Sequence, residues 1–272
     1  MKKTESVGEN PNIGQVDNSA DPVEVVVEVE NNAVPSDAEK VEQELEWGDL
    51  SVFGPVLPLG TDVLKKKPVY RFFKRFFDIV LSVFALVVLF PFLVLVAIII
   101  FLDDPHGSPI FFQIREGKNR KKFKLIKFRS MVVNAEELLE DLRRRGITIK
   151  DPNDPTYKMK DDPRITRFGR FIRKTSIDEL PQLINIIMGH MSIVGPRPPL
   201  PREVAQYNDF SLQRLLVRPG LTCIWQSTKN RDDVKFPDWM KMDITYIQNC
   251  SFLLDCKIIL KTFAIVLTAN GN

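Results

Sequence analysis

The chain has 272 residues, 44% of them hydrophobic, with 38 Lys+Arg against 35 Asp+Glu, so it is long enough to bury a core and carries a net charge of only +3. That total conceals a division: residues 1–62 hold 14 acids and 3 bases, which leaves a strongly basic body behind an acidic tail. Cys223, Cys250 and Cys256 include no C-x-x-C pair and are too few for a disulfide scaffold, and the two histidines, His106 and His190, are far apart. A reducing compartment is expected, and any metal is expected to be a hard cation held by carboxylates.

The tail, 1–62, is rich in Asn, Ser, Glu and Pro, and its one strand-like run is Val23 to Val29. It reads as a self-repelling, disordered segment. No apolar stretch follows Met1-Lys2-Lys3, so no secretory signal is expected.

Residues 63–108 read as a basic flank and a membrane segment. From Ile79 to Leu102 only Ser82 and Pro91 interrupt an apolar run, which as one helix is long enough for a hydrocarbon core of about 30 Å. Pro91 near its middle removes a backbone donor and crowds the carbonyl four residues earlier, predicting a bend. Bases flank both ends: Lys65, Lys66, Lys67, Arg71, Lys74 and Arg75 before, and the cluster from Arg115 to Arg129 after. A spanning helix puts one cluster on the outer face, against the positive-inside tendency; a re-entrant hairpin bent at Pro91 keeps both inside. The residues alone leave both open.

Residues 109–272 read as the domain that follows the membrane segment. Pro109–Arg115 and Lys122–Arg129 form a β-hairpin, with a phase slip at Leu125-Ile126 that predicts a bulge or two-sided burial. A helix follows, capped by Asn134 and stopped at Gly146, with Ala135, Leu138, Leu139 and Leu142 as its buried stripe. Residues 146–160 read as a loop. Asp162-Pro163 is expected to start a cationic helix whose Ile165, Phe168 and Ile172 edge lies on an anionic membrane surface. Basicity alone also suits nucleic acid, but the membrane segment already accounts for it, so no nucleic-acid partner is expected. Phe252–Leu267, broken by Asp255, Lys257 and Lys261, reads as an amphipathic helix on the core or the interface. The class is mainly α with one small β-hairpin.

Chemistry concentrates around Thr175-Ser176-Ile177-Asp178-Glu179-Leu180-Pro181. Either Asp178 caps the next helix, with Pro181 in its first turn, or Ser176 and Glu179 form a capping box. Both put adjacent carboxylates at the positive end of a helix, as caps or as nucleophile and metal ligand. Arg173 precedes them, Val194-Gly195-Pro196-Arg197-Pro198-Pro199 follows, and Arg218-Pro219-Gly220 repeats the proline-stiffened arginine. Such guanidinium groups suit phosphate oxygens, and with two acids they suggest phosphoryl transfer with Mg²⁺.

Five runs in order, Phe123 to Met131, Asp162 to Arg170, Thr175 to Leu183, Met191 to Pro198 and Arg218 to Thr222, make the chain resemble the bacterial sugar transferases called monotopic phosphoglycosyl transferases, over about 70–267. It is most similar to the small, core-only form, without the four-span amino-terminal domain of larger members. The resemblance implies a monotopic protein with a re-entrant helix-break-helix hairpin bent at Pro91 and interfacial amphipathic helices, at the bacterial inner (cytoplasmic) membrane with its catalytic domain in the cytoplasm. It implies transfer of a sugar 1-phosphate from a nucleotide diphosphate sugar such as a UDP-sugar to polyprenyl (undecaprenyl) phosphate, initiating exopolysaccharide, O-antigen or lipopolysaccharide synthesis. Asp178 is then the nucleophile, Glu179 its partner in holding Mg²⁺, and Lys127, Arg173, Arg197 and Arg218 the phosphate-binding cations. The sequence departs from the family at His190, at Cys223 and from Gln226 onward, where substrate specificity is at stake. The alternative is a catalytically silent membrane adaptor that binds the lipid bilayer and glycan-assembly proteins.

Overall fold

The computed structural model describes residues 67–145, 162–228 and 231–267. The acidic tail, Lys65, Lys66, the stop at Gly146 and the loop at 146–160 lie outside the described residues.

The long apolar run belongs to a 36-residue helix, α1 (Pro68–Asp103), about 54 Å along its axis. It alone among the described residues is long and apolar enough to cross a membrane. Helical backbone continues through Pro91, where a break between two arms was expected. A proline inside a helix costs about 3 kcal/mol. Packing on either side of it offsets that: Ala85 and Leu86 meet Phe123, Leu125, Leu183 and Ile186, while Leu93, Val96, Ala97 and Ile100 meet Ile110, Phe128, Phe168 and Ile172.

Polar contacts fasten both ends of α1 to the globular body. Tyr70 Oη and Lys74 Nζ donate to Asp255 at 2.8 and 2.9 Å. Asp78, buried in the helix, accepts from Ser192 Oγ at 2.7 Å and from the Ile193 amide at 3.0 Å. At the far end Arg129 donates to the Asp104 carbonyl, and its Nη1 lies 3.6 Å from the Asp104 carboxylate. The opposite face exposes a continuous row of Phe, Val, Leu and Ile from Val69 to Leu102.

The expected hairpin is present as β1 (Ile110–Glu116) antiparallel to β2 (Lys122–Phe128). Each residue from Ile110 to Glu116 has one partner from Phe128 to Lys122, so there is no bulge. The slip at Leu125-Ile126 reflects burial on both sheet faces, Leu125 fully and Ile126 partly. One reason is Asn185: its side chain accepts from the Ile126 amide at 2.9 Å and donates to the Lys124 carbonyl at 2.8 Å, so it serves as one more pairing partner on the free edge of β2.

The helix read after the hairpin is present as α2 (Ala135–Arg144), with Leu139 and Leu142 buried and Ala135 and Leu138 partly so. Helix α3 (Arg167–Lys174) starts later than expected: Thr166 is its cap, accepting from the Gly169 amide at 2.9 Å. Asp162 instead folds back on Arg164, at 2.6 Å, in a turn ahead of the helix. The Phe168 and Ile172 edge packs on α1 and Phe128; only Phe171 faces outward, so little apolar edge remains for lipid.

After α4 (Gln182–Ile187) a second, unanticipated sheet pairs β3 (Ser192–Val194) in parallel with β4 (Gly220–Thr222). These strands are too short to show a periodicity. A Cβ on Gly220 would collide with the Gly195 backbone, so glycine is what allows this approach. Two short helices, α5 (Pro201–Val204) and α6 (Asp209–Leu212), lie between them in sequence. Helices α7 (Phe236–Asn249) and α8 (Phe252–Leu267) complete the largest core with Trp225, Trp239, Met242 and Ile258. Helix α8 lies on that core through Leu254 and Ile258, as its pattern indicated.

Candidate active site

The Thr175–Pro181 segment forms neither of the two caps. Ser176 takes a left-handed conformation (φ 56°) after α3, and Ile177–Glu179 makes a single 3₁₀ turn closed by the Glu179 amide on the Ser176 carbonyl. Helix α4 begins only at Gln182, with no side-chain cap. The two carboxylates therefore project from a tight turn that leads into the helix. The turn packs against β2, and Lys127 stands near Asp178.

Arg197 reaches the same place from a loop held on three sides. The Gly195 amide donates to Thr222 O at 3.0 Å and the Gly220 amide to Pro196 O at 2.9 Å. From β1, Arg115 Nη1 donates to Pro198 O at 2.8 Å and the Glu116 amide to Pro199 O at 3.0 Å. From below, the fully buried Arg214 donates to Arg197 O at 2.9 Å and to Tyr207 Oη at 2.8 Å, and pairs with Asp243 at 2.7 Å. So fixed, Arg197 Nη1 donates to Glu179 Oε1 at 2.9 Å. The second oxygen, Oε2, accepts from Gln226 Nε2 at 3.1 Å, and Gln226 Oε1 in turn accepts from the Cys223 thiol at 3.5 Å.

The two acids differ in their surroundings. Glu179 loses solvation on burial, but the charge and hydrogen bond of Arg197, with Arg231 and Lys127 behind them, outweigh that and hold it below the usual carboxylate range. Asp178 accepts no hydrogen bond from the described residues. Burial, and then the adjacent Glu179 charge, push it up to about 6 against the pull of Lys127, Arg173 and Arg197. Burial likewise lowers Lys127 to about 8, opposed by Asp178 and reinforced by Arg115, Arg197 and Arg173. An ionised acid with a hydrogen bond to each oxygen thus stands beside one that accepts none from the described residues, a division typical of paired catalytic carboxylates. Lys127, Arg173, Arg197 and Arg115 also line a cleft of about 860 Å³.

Of the residues read from sequence, Asp178, Glu179, Lys127, Arg173 and Arg197 converge. Arg218 does not. Its Nε donates to Gly189 O at 3.0 Å, beyond the far end of α4, and it lies with Arg71, Arg75 and Lys118 beside the start of α1. Its resemblance to Arg197 was one of sequence, a proline-flanked arginine, and each strand of the β3/β4 pair carries one such arginine to a different place.

Four residues of the site escaped notice. Gln226 and Arg231 belong to the run that departs from the family pattern, Arg115 was counted only as flanking charge, and Arg214 has no motif. Of the other departures, His190 stacks on Phe123 at 5.5 Å, with Nδ1 buried and unpartnered among the described residues, and is remote from Glu179's hydrogen bonds; Cys223, its thiol pushed up to about 12 by burial, acts on the site through Gln226.

No group of three or more His, Cys, Asp or Glu side chains suited to a metal occurs among the described residues. The Asp178-Glu179 pair can still fit Mg²⁺, which typically takes one or two carboxylates and completes its shell with water and substrate phosphate oxygens. Among the described residues each Glu179 oxygen keeps one lone pair beyond its hydrogen bond, and neither Asp178 oxygen accepts a hydrogen bond.

Comparison with known proteins shows the family. The family described as "Bacterial sugar transferase" matches residues 69–269. A "UDP-galactose-lipid carrier transferase" of Erwinia amylovora is 42% identical over 201 residues, 74% of this chain and 42% of that protein. An "Undecaprenyl-phosphate galactose phosphotransferase" of Salmonella typhimurium is 40% identical over the same shares. This chain thus spans less than half the length of either. The "Exopolysaccharide production protein ExoY" of Sinorhizobium fredii is 39% identical over 207 residues, 76% of this chain and 90% of that protein. Because the matched segment runs from the second residue of α1 past the last described residue of α8, taking in the whole cleft and both carboxylates, the chain belongs to the bacterial sugar transferase family.

Proposed function

We propose that this chain transfers a sugar 1-phosphate from a nucleotide diphosphate sugar, a UDP-sugar, to undecaprenyl phosphate at the cytoplasmic face of the bacterial inner membrane, initiating a lipid-linked glycan. The observation that carries the reading is the unequal carboxylate pair, Glu179 immobilised by Arg197 and Gln226 and Asp178 without a hydrogen bond from the described residues. The names of the relatives support the substrate classes: one refers to UDP-galactose and a lipid carrier, another to undecaprenyl phosphate.

In this mechanism an Asp178 carboxylate oxygen attacks the phosphorus that bears the sugar. A phosphorus–oxygen bond to Asp178 forms, the bond to the nucleotide's phosphate breaks, and the nucleoside monophosphate leaves with the electron pair. A phosphate oxygen of the polyprenyl phosphate then attacks the same phosphorus and restores the carboxylate. Lys127, Arg173 and Arg197 hold the phosphoryl oxygens and offset developing charge. Glu179 keeps Arg197 in register. Asp178 and Glu179 would hold Mg²⁺, which would supply further neutralisation of the diphosphate.

The acceptor's phosphate lies at headgroup depth, so the catalytic body must stay at one membrane face. A re-entrant α1, entering and leaving on the cytoplasmic side, meets that need. Support comes from its contacts with the body near both ends, at Asp255 and at Arg129, which a straight span with the body on one side could not make.

The test is intact-protein mass spectrometry after exposure to a panel of UDP-sugars, with nucleoside monophosphate release followed in parallel. The parental chain is expected to gain one sugar phosphate, mapped to Asp178, and Asp178→Asn is expected to gain none while still sedimenting with membranes. Near-parental turnover by Asp178→Asn overturns the assigned nucleophile. Failure of every donor to release nucleotide favours the silent adaptor.

A further inference from the structure

A second pocket, of about 400 Å³, lies beside the first turns of α1. Arg71, Arg75, Lys118 and Arg218 line it, and no carboxylate among the described residues pairs with any of the four. Its one acid, Asp78, is already committed to Ser192 and the Ile193 amide, and its other cation, Lys74, to Asp255.

Two of the guanidinium groups are held in place. Arg75 donates from Nη1 to Ile186 O at 2.7 Å and from Nη2 to Ile187 O at 3.0 Å, and Arg218 uses only Nε on Gly189 O. Among the described residues no acceptor meets either terminal nitrogen of Arg218, and both are left for another acceptor. Lys118 is lowered by burial and by the charges of Arg71 and Arg218. Cations gathered without a counter-charge repel one another, and a bound anion removes that cost. The rim carries Phe72, 69% exposed, and the apolar outer face of α1 continues from there through Phe73, Phe76 and Phe77. The pocket is therefore polar at one end and continuous with the exposed apolar face of α1 at the other.

We propose that this pocket binds the phosphate headgroup of an anionic glycerophospholipid, separately from the cleft lined by Lys127, Arg173 and Arg197, with the acyl chains along the exposed face of α1. The four cations match a phosphodiester, and Phe72 and its neighbours match the chains. The site is independent of the transferase reading, since it asks for no reaction.

The experiment measures thermal unfolding of the full chain in nonionic detergent against added short-chain phosphatidylglycerol, short-chain phosphatidylcholine or inorganic phosphate. Phosphatidylglycerol is expected to raise the midpoint saturably, and phosphatidylcholine and inorganic phosphate at equal concentration far less. The double variant Arg71→Gln/Lys118→Gln is expected to bind phosphatidylglycerol about thirtyfold more weakly, the loss of two basic contacts. Neither side chain has a hydrogen bond or ion pair with another described residue to lose, and an unchanged midpoint without lipid confirms that the variant folds. Lys121→Gln/Lys122→Gln, which removes two exposed cations outside the pocket, is expected to leave binding within a few-fold of parental. Equal weakening by both double variants means diffuse surface attraction and overturns the site. An equal response to inorganic phosphate overturns the lipid assignment, and no response to phosphatidylglycerol overturns the proposal altogether.

Discussion

Gln226 stands between Cys223 and Glu179, its carbonyl accepting from the thiol at 3.5 Å while its amide donates to the carboxylate at 3.1 Å. The acid fixes which end of the amide faces it, because an ionised carboxylate only accepts and so calls for the NH₂, leaving the carbonyl for the thiol.

Replacing Gln226 by Leu keeps most of the volume and removes the donor. Glu179 then loses one of its two hydrogen bonds, and a bond to a charged group is worth about 1.5–3 kcal/mol, so turnover is expected to fall on the order of ten- to hundredfold. Gln226→Glu should be worse, because it sets a second negative charge against Glu179. Steady-state nucleotide release with a melting curve on each variant checks this. Equal activity in Gln226→Leu would show that Arg197 alone suffices to hold Glu179.

The titration of the site predicts its pH profile. Asp178 attacks only as the carboxylate, and its position near 6 makes activity rise with pH through that region. Lys127 binds phosphate only while charged, and its position near 8 makes activity fall above it. A bell with its top between about 6 and 8 is expected in kcat/KM. Lys127→Arg should retain the acid limb and lose the alkaline one, since a guanidinium stays charged across this range. A profile for Lys127→Arg that still falls near 8 assigns that limb to another group.

Much of this architecture was legible in the sequence, and the reasons for the rest are physical. The long apolar run, the β-hairpin and α2 announce themselves by period and length, and the Asp178-Glu179 pair by its place ahead of Pro181. Asp78 could not be read: as an acid one residue before the apolar run it looks like flanking charge, and only the fold brings it to Ser192 and the Ile193 amide. Arg197 and Arg218 share a local pattern, so sequence gives them one role, whereas long-range pairing of β3 with β4 sends them to different pockets. Helix starts failed where a competing local bond prevailed, as when Asp162 pairs with Arg164 and leaves capping to Thr166.

The membrane arrangement is open to labelling. Cys256 is exposed and Cys223 and Cys250 are buried, so a Cys256→Ser background is expected to be silent to an impermeant maleimide. Val69 and Leu102, 67% and 72% exposed, lie near opposite ends of α1. Val69→Cys and Leu102→Cys are each expected to react in inside-out vesicles and to stay protected in right-side-out ones. Opposite sidedness would establish a spanning α1 and refute the re-entrant reading.

The buried pair Arg214–Asp243 makes the last prediction. Both side chains are about 1% exposed and their charged atoms are 2.7 Å apart. Asp243 also has an oxygen with no hydrogen-bond donor among the described residues, and burial pushes it up to about 6, so the ion pair is poorly solvated by the protein. Removing one partner strands the other, at a cost of about 3–5 kcal/mol, whereas replacing both with apolar residues of similar volume is often neutral. Asp243→Leu alone is therefore expected to lower the melting temperature sharply and Arg214→Met/Asp243→Leu to recover much of the loss. Activity should not recover with it. The double variant still lacks the donor to the Arg197 carbonyl, so Arg197 loses its support from below and the phosphate-binding geometry loosens. A folded double variant with parental turnover would show that the contacts from β1 and β4 hold Arg197 without Arg214.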